Sequence, residues 1–240
     1  MTTESTRESK VKKVKALLTQ AERTNYEGEA ESFNAAAARL MAKWSIEDAE
    51  LQHEEGRAAI ERRAYTVQSP YSADRMHLIY RVSSAMGAAA YFMKQPRDGR
   101  KVATNSKDHN TYAYIVGDPG DIDRIEVMLE SLNRQMNREQ ARDVERQHFY
   151  GMGEKKIWNS NYIRSYARRI GERMREAYEE EIAEYSGKAE IVLKDRKALI
   201  IEELAKQGVQ SVQSSRQHHS GGASAGRAAA DRAEINKGLR

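Results

Sequence analysis

The sequence predicts an α+β protein that is predominantly helical. Three observations predict it. Only three prolines interrupt a chain of 240 residues rich in Ala, Glu, Arg and Lys, a composition that favours helix. Apolar residues recur three and four apart over most of the length. Near the middle the pattern switches to short Tyr- and Val-containing runs bounded by turn residues. The expected order is an N-terminal helical hairpin module over residues 1–56, then a strand–helix–strand–strand–helix unit with further long helices over 57–207. A Ser/Gly/Ala-rich tail over 208–240 is expected to be disordered.

Val11, Val14, Leu17, Leu18 and Ala21 form the stripe of the first helix, with Lys10, Lys12, Lys13 and Lys15 between them. Thr24 with Glu27 has the spacing of a capping box and restarts the chain as a second helix. Ala30, Phe33, Ala37, Leu40, Met41 and Trp44 then share one side of it. Ser45 with Asp48 repeats the capping pattern and predicts a short third helix through Leu51. Ile60 to Gln68 reads as a strand, and Ser72 with Asp74 opens a helix that Gly87 closes. Ala88 to Lys94 and Thr111 to Val116 read as paired strands, joined by a loop with a turn at Asp98-Gly99. Asp118-Pro119-Gly120 leads into a long helix carrying Ile122, Ile125, Met128, Leu129, Leu132, Met136 and Val144. After a break at Gly151 and Gly153, Ile157, Ile163, Tyr166, Ile170, Met174, Ala177, Tyr178, Ile182 and Tyr185 mark another long helix. Lys188 to Leu193 reads as a short strand and Asp195 to Lys206 as a helix. Within the tail, the alanine-rich stretch from Ala223 to Ile235 could fold as a helix on a partner.

Several function classes are excluded or disfavoured. The chain has no cysteine, which removes disulfides, thiolate nucleophiles and Cys-ligated metals. His53, His77, His109, His148, His218 and His219 lack metal-ligand spacing, so no metal and no cofactor are expected. "GMGEKK" lacks the final Ser/Thr and the preceding strand of a phosphate-binding loop. No apolar run approaches the roughly 20 residues of a membrane span. The N-terminus MTTESTRESK has no export signal core, so a cytoplasmic protein without a membrane partner is expected. The net charge of +4 is spread as −3 over 1–56, +5 over 57–120, −2 over 121–186 and +4 over 187–240.

"KVKKVKALLTQAERTNYEGEAESFNAAAARLMAKWSIEDAEL" resembles the N-terminal module of the domain of unknown function 2786 family, which occurs in bacteriophage, prophage and bacterial genomes. The features that carry the resemblance are the basic start, Ala16-Leu17-Leu18, Ala21-Glu22 with Thr24, Glu29-Ala30, and Arg39-Leu40-Met41 followed by Trp44 and Ile46. "YIVGDPGDIDRIEVMLESLNRQM" and "RSYARRIGERMREA" resemble the second domain that often accompanies it. The resemblance implies a phage or bacterial origin, the host cytoplasm if phage-encoded, and a two-part architecture. It brings no established activity, so no catalytic residue carries over.

Two basic groupings are the candidate sites. Arg134, Arg138, Arg142 and Arg146 step by four residues along one helix face, where guanidinium groups could meet successive phosphates. Their alternative reading is a solvated face, with Glu139–Arg142 and Asp143–Arg146 pairs blunting the charge. Lys155, Lys156, Trp158, Arg164, Arg168 and Arg169 combine charge with an aromatic ring on which a base could stack. The alternative places Trp158 in the core. The expected function is non-enzymatic binding by a phage or bacterial accessory protein, with DNA or RNA as ligand. The alternatives are a host-protein interaction module and a carboxylate-dependent hydrolase or nuclease.

Overall fold

The computed structural model describes residues 2–23, 27–54, 59–96, 109–183, 187–209 and 221–233. Among them the order is α1 (Thr2–Arg23), α2 (Glu27–Glu54), β1 (Glu61–Thr66), α3 (Ser72–Ala85), β2 (Ala89–Pro96), β3 (His109–Gly117), α4 (Pro119–Glu145), α5 (Met152–Ala183), α6 (Gly187–Lys206) and α7 (Gly221–Arg232). The architecture is α+β and mostly helical. The Thr24–Glu27 capping interaction, the Asp98-Gly99 turn and Tyr185, His218 and His219 lie outside the described residues.

α1 turns Val14, Leu18 and Ala21 inward and leaves Lys12, Lys13 and Lys15 exposed. α2 meets it with Ala37, Ala38, Met41, Ala42 and Trp44, whose small alanines allow close approach. Ser45 does not start a new helix, because α2 runs unbroken to Glu54. With the helical ladder continuous, no free backbone N–H needs capping there. The buried Ser45 hydroxyl instead donates to Asp121 Oδ2 at 2.9 Å.

The strands form one antiparallel sheet in the order β1-β3-β2. Alternation puts Ala113 and Ile115 of β3 into the main core and Val116 on the opposite face, where it meets Tyr91 and Ile200. Ile200 comes from α6. The strand expected over Lys188 to Leu193 is part of that helix. A short apolar run fits either period, and the helix-forming residues through Lys206 settle it.

The tail is the larger correction. Residues 221–232 are not disordered but form α7, docked on α5 of the same chain. A Cβ added at Gly222 or Gly226 would collide with the backbone of Trp158 or Tyr162, so glycine is what lets the two helices touch. Ala229, Ala230 and Ala233 are buried beside them. The buried Arg173 donates to the carbonyls of Ala230, Asp231 and Ala233, filling acceptors left open at the end of α7. Ile157 is also corrected: it lies off the buried side of α5 and is 57% exposed.

One apolar cluster takes residues from α1, α2, α3, β3, α4, α5 and α7. The N-terminal hairpin therefore shares its core with the rest. Two ion-pair sets tie α1 to α4. Arg7 bonds both carboxylate oxygens of Asp123, at 2.5 and 2.8 Å, and Arg63 of β1 joins at 2.6 Å. Glu22 accepts from Ser131 and Arg134, at 2.7 and 2.8 Å. Burial alone would raise both carboxyls, but these donors hold Glu22 and Asp123 below the usual carboxylate range. A carboxyl depressed on folding contributes stability that is complete above its unfolded value of about 4 and is lost as pH falls through the folded value. Urea midpoints should therefore drop as pH falls below about 4, and Glu22→Gln with Asp123→Asn should flatten that drop. An unchanged pH profile in the double variant would count against these ties.

Candidate nucleic-acid interface

Asp118 starts α4 by accepting the N–H groups of Gly120 and Asp121, at 2.8 and 3.2 Å, with Pro119 in the first helical turn. From this fixed start the helix delivers its four arginines to one exposed side. Arg134 is held by Glu22, while Arg138 and Arg142 approach Glu139 at 3.7 and 3.0 Å and Arg146 approaches Asp143 at 4.0 Å. The predicted Glu139–Arg142 and Asp143–Arg146 pairs are present. Glu139 and Asp143 also receive Arg232 of α7, at 3.4 and 3.6 Å. Exposed pairs of this kind are worth well under about 1 kcal/mol, so Arg138, Arg142 and Arg146 can still turn to a ligand. Arg134, bonded through two nitrogens, is less available.

The second grouping does not stay together. Arg164 bonds Asp74 of α3 at 2.5 Å. Arg168 approaches Glu172 at 3.7 Å, and Arg169 bonds Asp231 of α7 at 2.5 Å. Trp158 is 5% exposed, stacked on Tyr162 at 5.2 Å and edge-on to Phe149 at 5.9 Å. It is a core residue and offers no free face to a base. Burial accordingly pushes the Tyr162 hydroxyl pKa up.

What the structure does bring together is the corner between α4 and α5. Gln140 bonds the Asn159 side chain at 3.0 Å, so the two helices run back along each other. That places Arg142 and Arg146 at the same end as Lys155 and Lys156. Between them residues 146–151 form the turn. Phe149 packs against the core, and the N–H of Tyr150 donates to Glu154 at 2.9 Å. The Tyr150 ring is 93% exposed and Met152 is 89% exposed. His148 meets Tyr150 edge-on at 5.7 Å. No Cβ contact lies within 4 Å at Gly151 or Gly153, so the surface around the turn is open. Lys155 and Lys156 are exposed, and neither has an acidic partner within 4 Å among the described residues. Sequence reasoning missed Tyr150. Its signal was available: it falls in neither helical stripe and stands in a polar, glycine-flanked turn.

A second concentration of charge lies beneath the start of α4. Asp121 bonds Arg124 at 2.6 Å and Arg196 of α6 at 2.9 Å. Arg124 also bonds Asp48 at 3.1 Å, and Lys10 reaches the same carboxylate at 2.6 Å. Ser45 bonds Asp121 and lies 3.3 Å from the Tyr178 hydroxyl. Burial pushes that hydroxyl pKa up. With Asp118, 3.7 Å from Arg196, three carboxylates converge here, but three cations meet them and Arg124 is only 1% exposed. The pocket lined by Thr6, Ser9, Lys10, Lys13 and Trp44 meets the hub only at Lys10, and its lining holds no acid among the described residues. Nor do they hold a group of three or more acids or histidines suited to a metal ion. Its chemistry is cross-linking: it joins α1, α2, α4, α5 and α6. Asp121 and Arg124 were legible as a warning, since they sit three apart on the stripe of Ile125 and Met128.

The hub also gives meaning to the comparison with known proteins. Residues 10–48 match the model of a family described as protein of unknown function (DUF2786). The DUF2786 segment begins at Lys10 and ends at Asp48, so the hub uses both of its ends and Ser45 between them. The segment is thus the part of the chain that anchors the hairpin to the start of α4. No curated protein and no solved structure matches the chain. Among the described residues no helix is long and apolar enough to cross a membrane.

Proposed function

We propose that this chain is a non-enzymatic accessory protein of a phage or bacterial cytoplasm that binds nucleic acid at the α4–α5 corner. The observation that carries the reading is the pair Lys155 and Lys156, exposed at the corner without acidic partners among the described residues. Arg142 and Arg146 flank them from α4. Phosphate oxygens attract such cations without regard to base sequence. The neighbouring Glu139, Asp143, Glu145 and Glu154 moderate the field, so the expected affinity is modest and salt-sensitive.

Lys155→Glu with Lys156→Glu should weaken binding of a labelled oligonucleotide at low salt by about tenfold or more. It should also reduce the slope of log affinity against log salt by about 1.4, two single-strand phosphate contacts at about 0.7 each. Lys12→Glu, an exposed site on α1, should change neither. Failure of the parent protein to bind DNA or RNA at low salt removes the proposal, as does a double variant that binds equally well.

A host-protein contact at the same corner is the second reading, favoured by the exposed apolar side chains of Met152 and Ile157. It predicts that Met152→Ser with Ile157→Ser abolishes capture of a host partner while oligonucleotide binding is absent or unchanged.

A further inference from the structure

We infer that the ligand of the corner is single-stranded nucleic acid, with Tyr150 as the platform for an unpaired base. This rests on the nucleic-acid reading above and names its ligand class.

The first argument is the ring itself. Tyr150 is 93% exposed, so almost none of its surface contributes to the fold. Both faces are open apart from the edge contact with His148. The backbone that carries the ring is nevertheless held in place. Its own N–H is bonded to Glu154, and the preceding Phe149 is anchored against Trp158. With the backbone fixed, only the two side-chain torsions of Tyr150 remain to be ordered when a base covers the ring.

The second argument is geometric. In a duplex each base face is covered by its neighbours, and a tyrosine reaches one only by unstacking it. In a single strand the face is free, and stacking on an aromatic ring contributes at every base type. Met152, two residues on and 89% exposed, adds an apolar side chain at the same turn.

The third argument is charge. A duplex binder that relies on its phosphate backbone makes on the order of 6–10 contacts. Here Arg134 is held by Glu22, and Arg138, Arg142 and Arg146 share Glu139 and Asp143. Even with Lys155 and Lys156, which have no acidic partner among the described residues, the corner supplies only a handful of cations, fewer than such a duplex binder uses. A few phosphate contacts give little affinity unless another interaction adds to them, and the stacking ring at the same turn supplies it.

The test is fluorescence anisotropy of the full chain with labelled oligo(dT) and with a duplex of equal length, at low salt. Oligo(dT) should bind about tenfold or more tightly than the duplex. Tyr150→Ala should weaken oligo(dT) binding on the order of ten- to a hundredfold, with the salt slope unchanged because no phosphate contact is lost. Tyr150→Phe, which keeps the ring, should bind within about twofold of the parent. The thermal midpoint should stay unchanged in both, since the side chain is 93% exposed and meets only the edge contact with His148. Equal or tighter duplex binding, or Tyr150→Ala that binds as the parent does, overturns the single-strand inference and leaves the nucleic-acid reading standing. Absence of binding to either oligonucleotide overturns both and points to the protein-partner reading.

Discussion

Asp121→Ala should destabilise the protein by about 3–5 kcal/mol, the cost of removing one partner from a buried ion pair. Asp121 lies between Arg124 and Arg196, at 2.6 and 2.9 Å, and all three side chains are nearly inaccessible. Without it, Arg196 keeps the Ser45 carbonyl at 3.4 Å and the 3.7 Å approach to Asp118, and Arg124 keeps Asp48. Two buried guanidinium groups would then share less negative charge. Asp121→Asn should fall between alanine and the parent, because it keeps an acceptor for Ser45 but loses the charge. Ser45→Ala, which removes one hydrogen bond, should cost about 1 kcal/mol. For a chain of this length the alanine variant should melt roughly 10 °C lower. Hydrogen exchange should localise part of the loss to α1 and α2, because the hub attaches both to α4, beside the Arg7–Asp123 and Glu22–Arg134 ties of α1. An Asp121→Ala protein within about 1 kcal/mol of the parent would show that the hub does not hold the hairpin.

The second large effect is expected at Gly226. A Cβ there would meet the Tyr162 carbonyl, and the same holds for Gly222 against Trp158. The obstructing atoms are backbone atoms inside a 32-residue helix, so they cannot swing aside as a side chain would. Gly226→Val should therefore cost about 3 kcal/mol, the upper end for overpacking, or expel α7 from its seat. Expulsion would also unfold α7, since a twelve-residue helix with three glycines is unstable alone. Trypsin should then cut quickly at Arg227 and Arg232, and Trp158 emission should shift to the red as the ring meets water. Gly226→Ala should act in the same direction with a smaller effect. Unchanged proteolysis and emission in the valine variant would show that α7 does not pack as described.

Much of the framework was legible because local physics settles it. The three- and four-residue spacing of Val14, Leu18 and Ala21, and of Ile122, Ile125, Met128 and Leu129, decides which side of α1 and α4 is buried. Strand alternation and turn residues set β2 and β3, and Asp118-Pro119 marked the start of α4. Three features misled. Ser45 carries a capping pattern, yet its hydroxyl is used 76 residues away at Asp121. The run at 188–193 is too short to tell helix from strand. The glycines of 221–226 read as flexibility, though they are what allows close contact with α5.

The candidate site was only partly legible, for a related reason. Charge type and spacing can be counted along a chain, but the partner that neutralises a charge cannot. Glu22 for Arg134, Asp74 for Arg164 and Asp231 for Arg169 come from 112, 90 and 62 residues away. The sequence by itself therefore determined the helices, the hairpin, the small sheet and the presence of basic faces, since each depends on neighbours within a turn or a strand. Only the tertiary structure decided that Trp158 is buried, that α7 closes over α5, and that Tyr150 stands free beside two unshared lysines. Those outcomes depend on long-range packing and desolvation, which spacing along the chain does not encode.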